Sequence, residues 1–372
     1  MRRLIVFLAI LLSAYFYLGF RWLGALALSG GYFWLAWLLL SLPLANIFWL
    51  VFFYWQRHED RVKNSRFEIL LQTLAFCAMG MLSFLFVFTA LADLISIAIP
   101  FRGALSFGII SLSSVACFCV GAAVARYTME ITRTDIAIEN LPESFENFTI
   151  VQISDLHIGS TVGPSFVERV VKKVNSLNAN IVVLTGDIVD GYFEPAKPSA
   201  ELLAQLRAAD GRFYVTGNHE YYWDAPPVID GFAKLGFSVL INRHEIIRKG
   251  RAALVIAGVP DFMSPYEGGP APSPEKALEG APADSVKILL AHQPSFAQAA
   301  ADAGYDLQLS GHTHGGQFFP WTWIIGWFHQ FPRGLGRIGK TRIYVNRGTG
   351  YWGPPIRLGA APEISLLRLK RC

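Results

Sequence analysis

The chain changes character once along its length. Up to about residue 125 it is dominated by four apolar runs, approximately 4–20, 32–55, 69–91 and 105–125. A helix needs about 20 apolar residues to cross the hydrocarbon of a bilayer, so these runs predict four transmembrane helices. A buried core helix is the alternative, but such helices rarely continue past about twenty residues without a charge. From Thr132 onward the pattern becomes short β-rich runs separated by turn signals and amphipathic segments. Residues 148–153, 181–184, 213–215, 254–257, 288–290 and 343–345 predict strands, and 165–177, 199–208, 226–235 and 294–303 predict helices between them. Strand alternating with helix implies a layered α/β architecture. Pro265, Pro270, Pro272, Pro274 and Pro282 make 264–284 a mobile surface loop in this reading.

Composition sharpens the division. Hydrophobic residues make up 53% of the chain and charged residues 16%, where a soluble domain carries about a quarter charged. The excess apolar content lies in a membrane region, 1–130, leaving 131–372 as one globular domain. Lys and Arg outnumber Asp and Glu by 9 to 5 in residues 1–130 and equal them at 23 each afterwards. A neutral globular domain lacks the basic face that nucleic-acid binding requires, so no nucleic-acid partner is expected. Cys77, Cys117 and Cys119 sit in apolar stretches and Cys372 is the last residue, which offers neither a disulfide framework nor a thiolate metal site.

The basic residues also predict an orientation. Arg2 and Arg3 precede the first run, Arg57, Arg61, Lys63 and Arg66 separate the second from the third, and Arg126 and Arg133 follow the fourth. The other two loops carry only Arg21 and Arg102. The positive-inside rule then puts the N-terminus, the middle loop and the globular domain in the cytoplasm. Arg2-Arg3 with Ala25-Leu26-Ala27 also resembles an export signal with a cleavage site. Removal of the first helix would still leave the domain inside. Asp93 falls at a span end, and the absence of a mid-span charge argues against a transporter or channel.

Five polar clusters fall where the strands of the globular part are expected to end: Asp155-Leu156-His157, Gly186-Asp187-Ile188-Val189-Asp190, Gly217-Asn218-His219-Glu220, Ala291-His292 and Gly311-His312-Thr313-His314. Sheets of α/β domains bind ligands beyond the carboxyl ends of their strands. Imidazoles, carboxylates and one amide oxygen, without sulfur, suit Mn, Fe, Zn or Mg. Each cluster alone is ordinary turn sequence, but five of the chain's eight histidines lie within them. Seven ligands from such clusters fit two ions sharing one carboxylate. Two ions about 3.5–4 Å apart can hold a bridging hydroxide and clamp a phosphoryl group for in-line attack. An unligated histidine can then protonate the leaving oxygen.

In order and in spacing, these five blocks resemble those of the calcineurin-like metallophosphoesterase superfamily, over about residues 135–372. Gly217-Asn218-His219-Glu220-Tyr221-Tyr222, Gly311-His312-Thr313-His314-Gly315-Gly316-Gln317 and the stretch Arg347–Arg357 further resemble its bacterial phosphodiesterase branch typified by YkuE and YaeI. The resemblance implies a double β-sandwich flanked by helices (α-β-β-α). It implies one metal held by Asp155, His157, Asp187 and His314, and a second held by Asp187, Asn218, His292 and His312. His219 is then the phosphate contact and proton donor, and Asp190 stands behind the ligands as their support. The implied substrate is a phosphodiester, phosphomonoester or pyrophosphate. A lipid-linked one such as UDP-2,3-diacylglucosamine and a soluble one are both compatible, and a non-catalytic scaffold or sensor retaining the fold is the reading of another class.

One segment stands apart from the resemblance. Phe318-Phe319-Pro320-Trp321-Thr322-Trp323-Ile324-Ile325-Gly326-Trp327-Phe328 directly follows the last cluster and is too short to span a membrane. It fits either buried core or a lip, built on Trp321, Trp323 and Trp327, that dips into a leaflet and presents a lipid phosphate.

Overall fold

The computed structural model describes residues 2–25, 30–55, 66–99 and 103–372. Arg57, Arg61, Lys63 and Arg102, used above for orientation, and Leu26-Ala27 of the cleavage-like motif lie outside the described residues. The chain forms two compact units, Met1–Ala123 with Gly353–Ile356, and Val124–Trp352 with Arg357–Cys372.

The first unit contains helices α1 (Arg2–Ala25), α2 (Gly31–Trp55) and α3 (Arg66–Ala98), and most of α4 (Ala104–Tyr127). Gly31–Phe52, Arg66–Ala98 and Leu105–Tyr127 are long and apolar enough to cross a membrane, whereas the apolar part of α1, Leu8–Gly24, is shorter. Four spans are expected from the sequence; among the described residues there are three candidate spans and one shorter apolar helix. Ile47, Leu50, Ala75 and Phe76 are buried between helices, while Leu38, Leu42, Ile97 and Leu112 are exposed. Helices apolar on all sides require surroundings other than water. Arg21 is not a loop residue but lies inside α1. Its Nη2 pairs with Asp93 Oδ1 and its Nε donates to Asp93 Oδ2 at 2.8 Å. Tyr17 Oη donates to the same Oδ2 at 2.7 Å. Asp93 therefore links α3 to α1, and Arg21 no longer counts as a loop charge in the orientation argument.

The second unit is built on twelve strands. They are β1 (Glu130–Ile138), β2 (Thr149–Ile153), β3 (Ile181–Thr185), β4 (Gly211–Val215), β5 (Ser238–Val239), β6 (Arg243–Lys249), β7 (Ala252–Gly258), β8 (Val286–Leu290), β9 (Leu307–Ser310), β10 (Gly334–Ile338), β11 (Thr341–Val345) and β12 (Glu363–Arg371). Helices α5 (Pro164–Asn175), α6 (Phe193–Ala200), α7 (Asn218–Trp223), α8 (Ala225–Lys234), α9 (Pro274–Ala277), α10 (Ala297–Asp302) and α11 (Trp321–Ile324) connect them. The strands form two six-stranded sheets, ordered β1-β12-β2-β3-β4-β5 and β10-β11-β9-β8-β7-β6. β2, β3, β4 and β5 are mutually parallel, as are β7, β8, β9 and β11.

Side chains alternate between the two faces of a strand, and here both faces are covered. Ile150, Ile181, Val183 and Phe213 of one sheet meet Ile256, Ile288, Leu290 and Leu309 of the other in a shared core. On the far side of the first sheet, Val151, Val182, Leu184 and Tyr214 pack against Val167, Val170, Ala196 and Phe232 of α5, α6 and α8. Beyond the second sheet, Val255, Ala257 and Leu289 pack against Ala277, Phe296 and Ala300. The expected α-β-β-α sandwich is thus observed, and burial on two faces explains why these strands read as unbroken apolar runs.

Two local expectations are corrected. The helix read at 199–208 begins at Phe193 and passes into a 3-10 turn at Glu201–Gln205. Pro195 occupies the first turn, where no N–H is needed. Segment 264–284 is folded rather than mobile. Tyr305 Oη donates to Pro274 O at 2.9 Å, Asn242 Nδ2 donates to Ala271 O at 2.7 Å, and Ala277 is buried in the outer core.

Candidate metal centre

All five clusters do follow strands, although β9, which carries the last, was not legible as one. Immediately beyond β2, β3 and β9 the backbone turns left-handed at residues that ordinarily avoid it: Asp155 (φ 52°), His157 (53°), Asp187 (52°), His312 (72°) and His314 (51°). Backbone bonds between the loops hold these turns. Asp155 N–H donates to Gly186 O and His157 N–H to Asp187 O, both at 3.0 Å, and Gly311 N–H donates to His292 O at 2.9 Å. His312 N–H donates to both carboxylate oxygens of Asp155 at 3.0 Å. His219 N–H, at the start of α7, donates to Asp187 Oδ1 at 2.8 Å. A Cβ at Gly217 would lie 2.2 Å from that oxygen, so the approach of α7 to Asp187 requires glycine.

The side chains converge in three overlapping groups. Asp155, His157 and His314 present ligand atoms within 4.8 Å of one another, and so do Asp187, His292 and His312, and, sharing members with both, His157, Asp187 and His219. In the first group His157 Nε2 is 3.1 Å from His314 Nε2, which is 3.3 Å from Asp155 Oδ1. In the second, His292 Nε2 is 3.1 Å from Asp187 Oδ2 and 3.2 Å from His312 Nδ1. Asp187 Oδ2 is also 3.9 Å from the Nε2 of both His157 and His219, which places it between the groups. His219 and Asp190 pair through Nδ1 and Oδ1 at 2.9 Å, and Trp223 Nε1 donates to the same oxygen at 3.0 Å.

The donor set fits divalent cations. Asn218 Oδ1 is buried with no hydrogen-bond partner, and such an atom costs about 1–3 kcal/mol unless something satisfies it. Among the protein groups alone, burial opposes ionisation of Asp187 and Asp155, but the neighbouring histidines outweigh it and hold both carboxyls below their usual range. Burial, then the charge of neighbouring histidines, pushes His157 and His312 down to about 3. Anionic carboxylates and neutral imidazoles are the forms that ligate metals. His292 and His219 behave differently: burial opposes their charge, but the Asp187 carboxylate holds His292 well above its usual range, and Asp187 with Asp190 lifts His219 to about 9.

Two supporting residues carried no role in the sequence reading. Glu220 accepts N–H bonds from Ile188 and Val189 on Oε1 (2.7 and 3.1 Å), and from Asp187 and Gly217 on Oε2 (3.0 and 2.6 Å). Its place three residues after the cap of α7 was the available signal. Arg357 is wholly buried. It donates to the carbonyls of His314 (3.0 Å), Arg347 (2.7 Å) and Gly350 (3.0 Å), and its Nη2 lies 3.0 Å from His314 Nδ1. Burial draws its pKa down to about 9. Tyr222 and Trp352 pack against the His219 ring at 5.0 and 5.3 Å between centroids.

The aromatic segment is not core. Trp321, Trp323, Trp327 and Phe328 are 48, 75, 81 and 74% exposed, which removes the buried-core alternative. It starts just beyond His314 and ends at His329, whose ring lies 5.8 Å from that of His312.

The profile of the family described as calcineurin-like phosphoesterase matches residues 148–316, from β2 through the last of the five clusters. A Danio rerio transmembrane protein with metallophosphoesterase domain is 37% identical over 261 residues, 68% of this chain and 60% of that protein. A metallophosphoesterase of Campylobacter jejuni is 33% identical, covering 70% of this chain and 69% of its own length. The metallophosphoesterase YkuE of Bacillus subtilis is 31% identical, covering 67% of this chain and 90% of its own. The chain thus spans about three fifths of the Danio rerio protein and most of the Bacillus one.

Proposed function

The chain belongs to the calcineurin-like metallophosphoesterase family, and from that premise we propose that it is a membrane-anchored, metal-dependent phosphoric ester hydrolase of phosphodiesterase or pyrophosphatase type. The observation that carries this reading is the pair of ligand groups with Asp187 between them. Asp155, His157, Asp187 and His314 would hold one divalent ion, and Asp187, Asn218, His292 and His312 would hold a second. Mn, Fe, Zn and Mg all suit these ligands. Bound there, the ions supply Lewis acidity to the phosphoryl oxygens and lower the pKa of attacking water.

The remaining work falls to the chain. His219 keeps Nδ1 engaged with Asp190, so Nε2 is the nitrogen that contacts the phosphoryl group and passes a proton to the leaving oxygen. Asp190, fixed also by Trp223, holds the imidazole in that orientation. Glu220 and Arg357 keep the ligand-bearing loops in their strained turns. The apolar helices tether this site to a bacterial inner membrane, with the catalytic domain in the cytoplasm as the positive-inside rule favours. The substrate is a phosphodiester, phosphomonoester or pyrophosphate. The superfamily resemblance makes a lipid-linked pyrophosphate of the UDP-2,3-diacylglucosamine kind one candidate.

The test uses the detergent-solubilised full chain and a chromogenic phosphodiester, bis(p-nitrophenyl) phosphate, with Mn, Zn, Fe or Mg supplied in turn. Metal-stimulated turnover, lost in Asp187→Ala, is the expected result. No turnover with any of the four metals would replace this reading with a scaffold that retains the fold.

A further inference from the structure

We propose that the segment from Trp321 to Phe328, together with Arg333 and Arg337, is a docking surface for an anionic phospholipid leaflet, and that it delivers acyl-bearing phosphoesters to the metal centre. The delivery half rests on the phosphoesterase reading; the docking half does not.

The side chains are presented rather than collapsed. The base of the segment is fixed: Phe318 and Thr322 are buried, and Phe319 N–H donates to Leu358 O at 3.0 Å. A Cβ at Gly316 would lie 2.4 Å from Trp321 O, so the chain is packed tightly beneath α11. On this base stand four large apolar side chains within eight residues, all exposed. Exposed apolar residues of a globular surface are ordinarily scattered singly, and a contiguous set marks a contact surface.

Charge identifies the occupant. Residues 318–346 contain Arg333, Arg337, Lys340 and Arg342 and neither Asp nor Glu, in a globular part that is formally neutral as a whole. Arg333, Arg337 and Lys340 are exposed, and among the described residues none of the three forms an ion pair. Arg333 and Arg337 flank and occupy β10, the edge strand of its sheet, where Leu335 is also exposed. Tryptophan favours the headgroup region of a bilayer, and clustered basic residues favour its anionic lipids. A protein partner would account for the tryptophans but gives no reason for the exposed Arg333 and Arg337 that follow them. The chain itself supplies the membrane: three of its helices are long and apolar enough to span, and only Thr128 and Met129 separate α4 from β1.

The position relative to the chemistry supplies the second half. The segment leaves the centre directly after His314 and returns at His329, beside His312. A phosphoester whose acyl chains lie among Trp323, Trp327 and Phe328 therefore has its head group toward the ligands.

The experiment uses the full chain with its four cysteines replaced, carrying Trp323→Cys labelled with an environment-sensitive fluorophore, in lipid nanodiscs. Glu279→Cys, on an exposed turn, is the reference position. With phosphatidylglycerol present, headgroup-nitroxide lipid is expected to quench the Trp323→Cys label at least twofold more than the reference. Arg333→Gln with Arg337→Gln, or high salt, reduces the difference. Equal quenching at both positions, or protection of the label only by an added soluble protein, overturns the docking. Quenching that persists in Asp187→Ala supports docking independently of catalysis. For delivery, the readout is the ratio of turnover on hexadecyl p-nitrophenyl phosphate to that on bis(p-nitrophenyl) phosphate. Trp321→Ser, Trp323→Ser and Trp327→Ser together are expected to lower that ratio about tenfold; an unchanged ratio overturns the delivery.

Discussion

Glu220 touches no ligand position through space that a metal would fill, yet the loop bearing Asp187 hangs from it. Glu220→Gln keeps the volume and removes one oxygen. Because each carboxylate oxygen accepts two backbone N–H groups, the amide nitrogen of Gln faces two donors whichever way it turns. Two buried bonds to a charged acceptor are lost at about 1.5–3 kcal/mol each, or roughly 3–6 kcal/mol. Some of this is returned, since burial and the Asp187 carboxylate push Glu220 up to about 7, and removing its charge relieves that repulsion. A net loss of about 2–4 kcal/mol remains, which for a domain of this size lowers Tm by roughly 5–15 °C. Glu220→Ala strips all four donors and opens a cavity, so it should cost about twice as much. The assay is thermal unfolding of the solubilised full chain, followed by tryptophan fluorescence, with and without Mn. A ranking of wild type, Gln, Ala is expected, with Mn affinity falling in the same order. If Gln melts within about 2 °C of wild type, or Ala proves no worse than Gln, the 187–189 turn is held by something else and the reasoning fails.

Other outcomes follow from the same geometry. His219→Ala should reduce kcat by about 10²–10⁴ while metal content, measured by atomic emission, stays at the wild-type level. Asp190→Asn should produce a smaller loss of the same kind and alter the pH profile of kcat. Arg357→Lys exchanges a planar fork for a point charge that cannot reach three carbonyls at once. It should destabilise the chain by about 3–5 kcal/mol and weaken Mn binding about 10–100-fold through His314, read by calorimetry and metal titration.

The parts of this architecture that were legible in sequence are those whose physics is local. β2, β3, β4, β7 and β8 are buried on both faces, so they appear as apolar runs. β12 lies at the centre of its sheet's β1-β12-β2 portion but escaped, because its outward positions are charged: Arg368 reaches across to Asp135 of β1 at 2.7 Å. β9 escaped because Gln308, inside the protein, finds its partner in Ser310 at 2.8 Å, and a buried Gln looks like a turn residue in sequence. The metal-type ligands were visible because their chemistry is carried by residue type and spacing. Arg357 and Glu220 were not, since their importance lies in partners 43 and 33 residues away that only the folded chain brings to them. The pairing of Arg21 with Asp93, 72 residues apart, was hidden for the same reason. The aromatic segment was ambiguous because sequence records that tryptophans are apolar, and only packing decides whether they face inward.

The left-handed turns have a consequence for how this chain can change. Five residues with ligand chemistry adopt φ between 51° and 72°, each at a cost of about 1–2 kcal/mol. Glycine, or asparagine to a lesser extent, would relax every one of those positions while abolishing its chemistry. Stability and activity therefore pull in opposite directions at the same five places. A lineage freed from the need for catalysis would find its easiest gains in folding there, and selection for thermal robustness alone would erode the centre before it touched the sandwich.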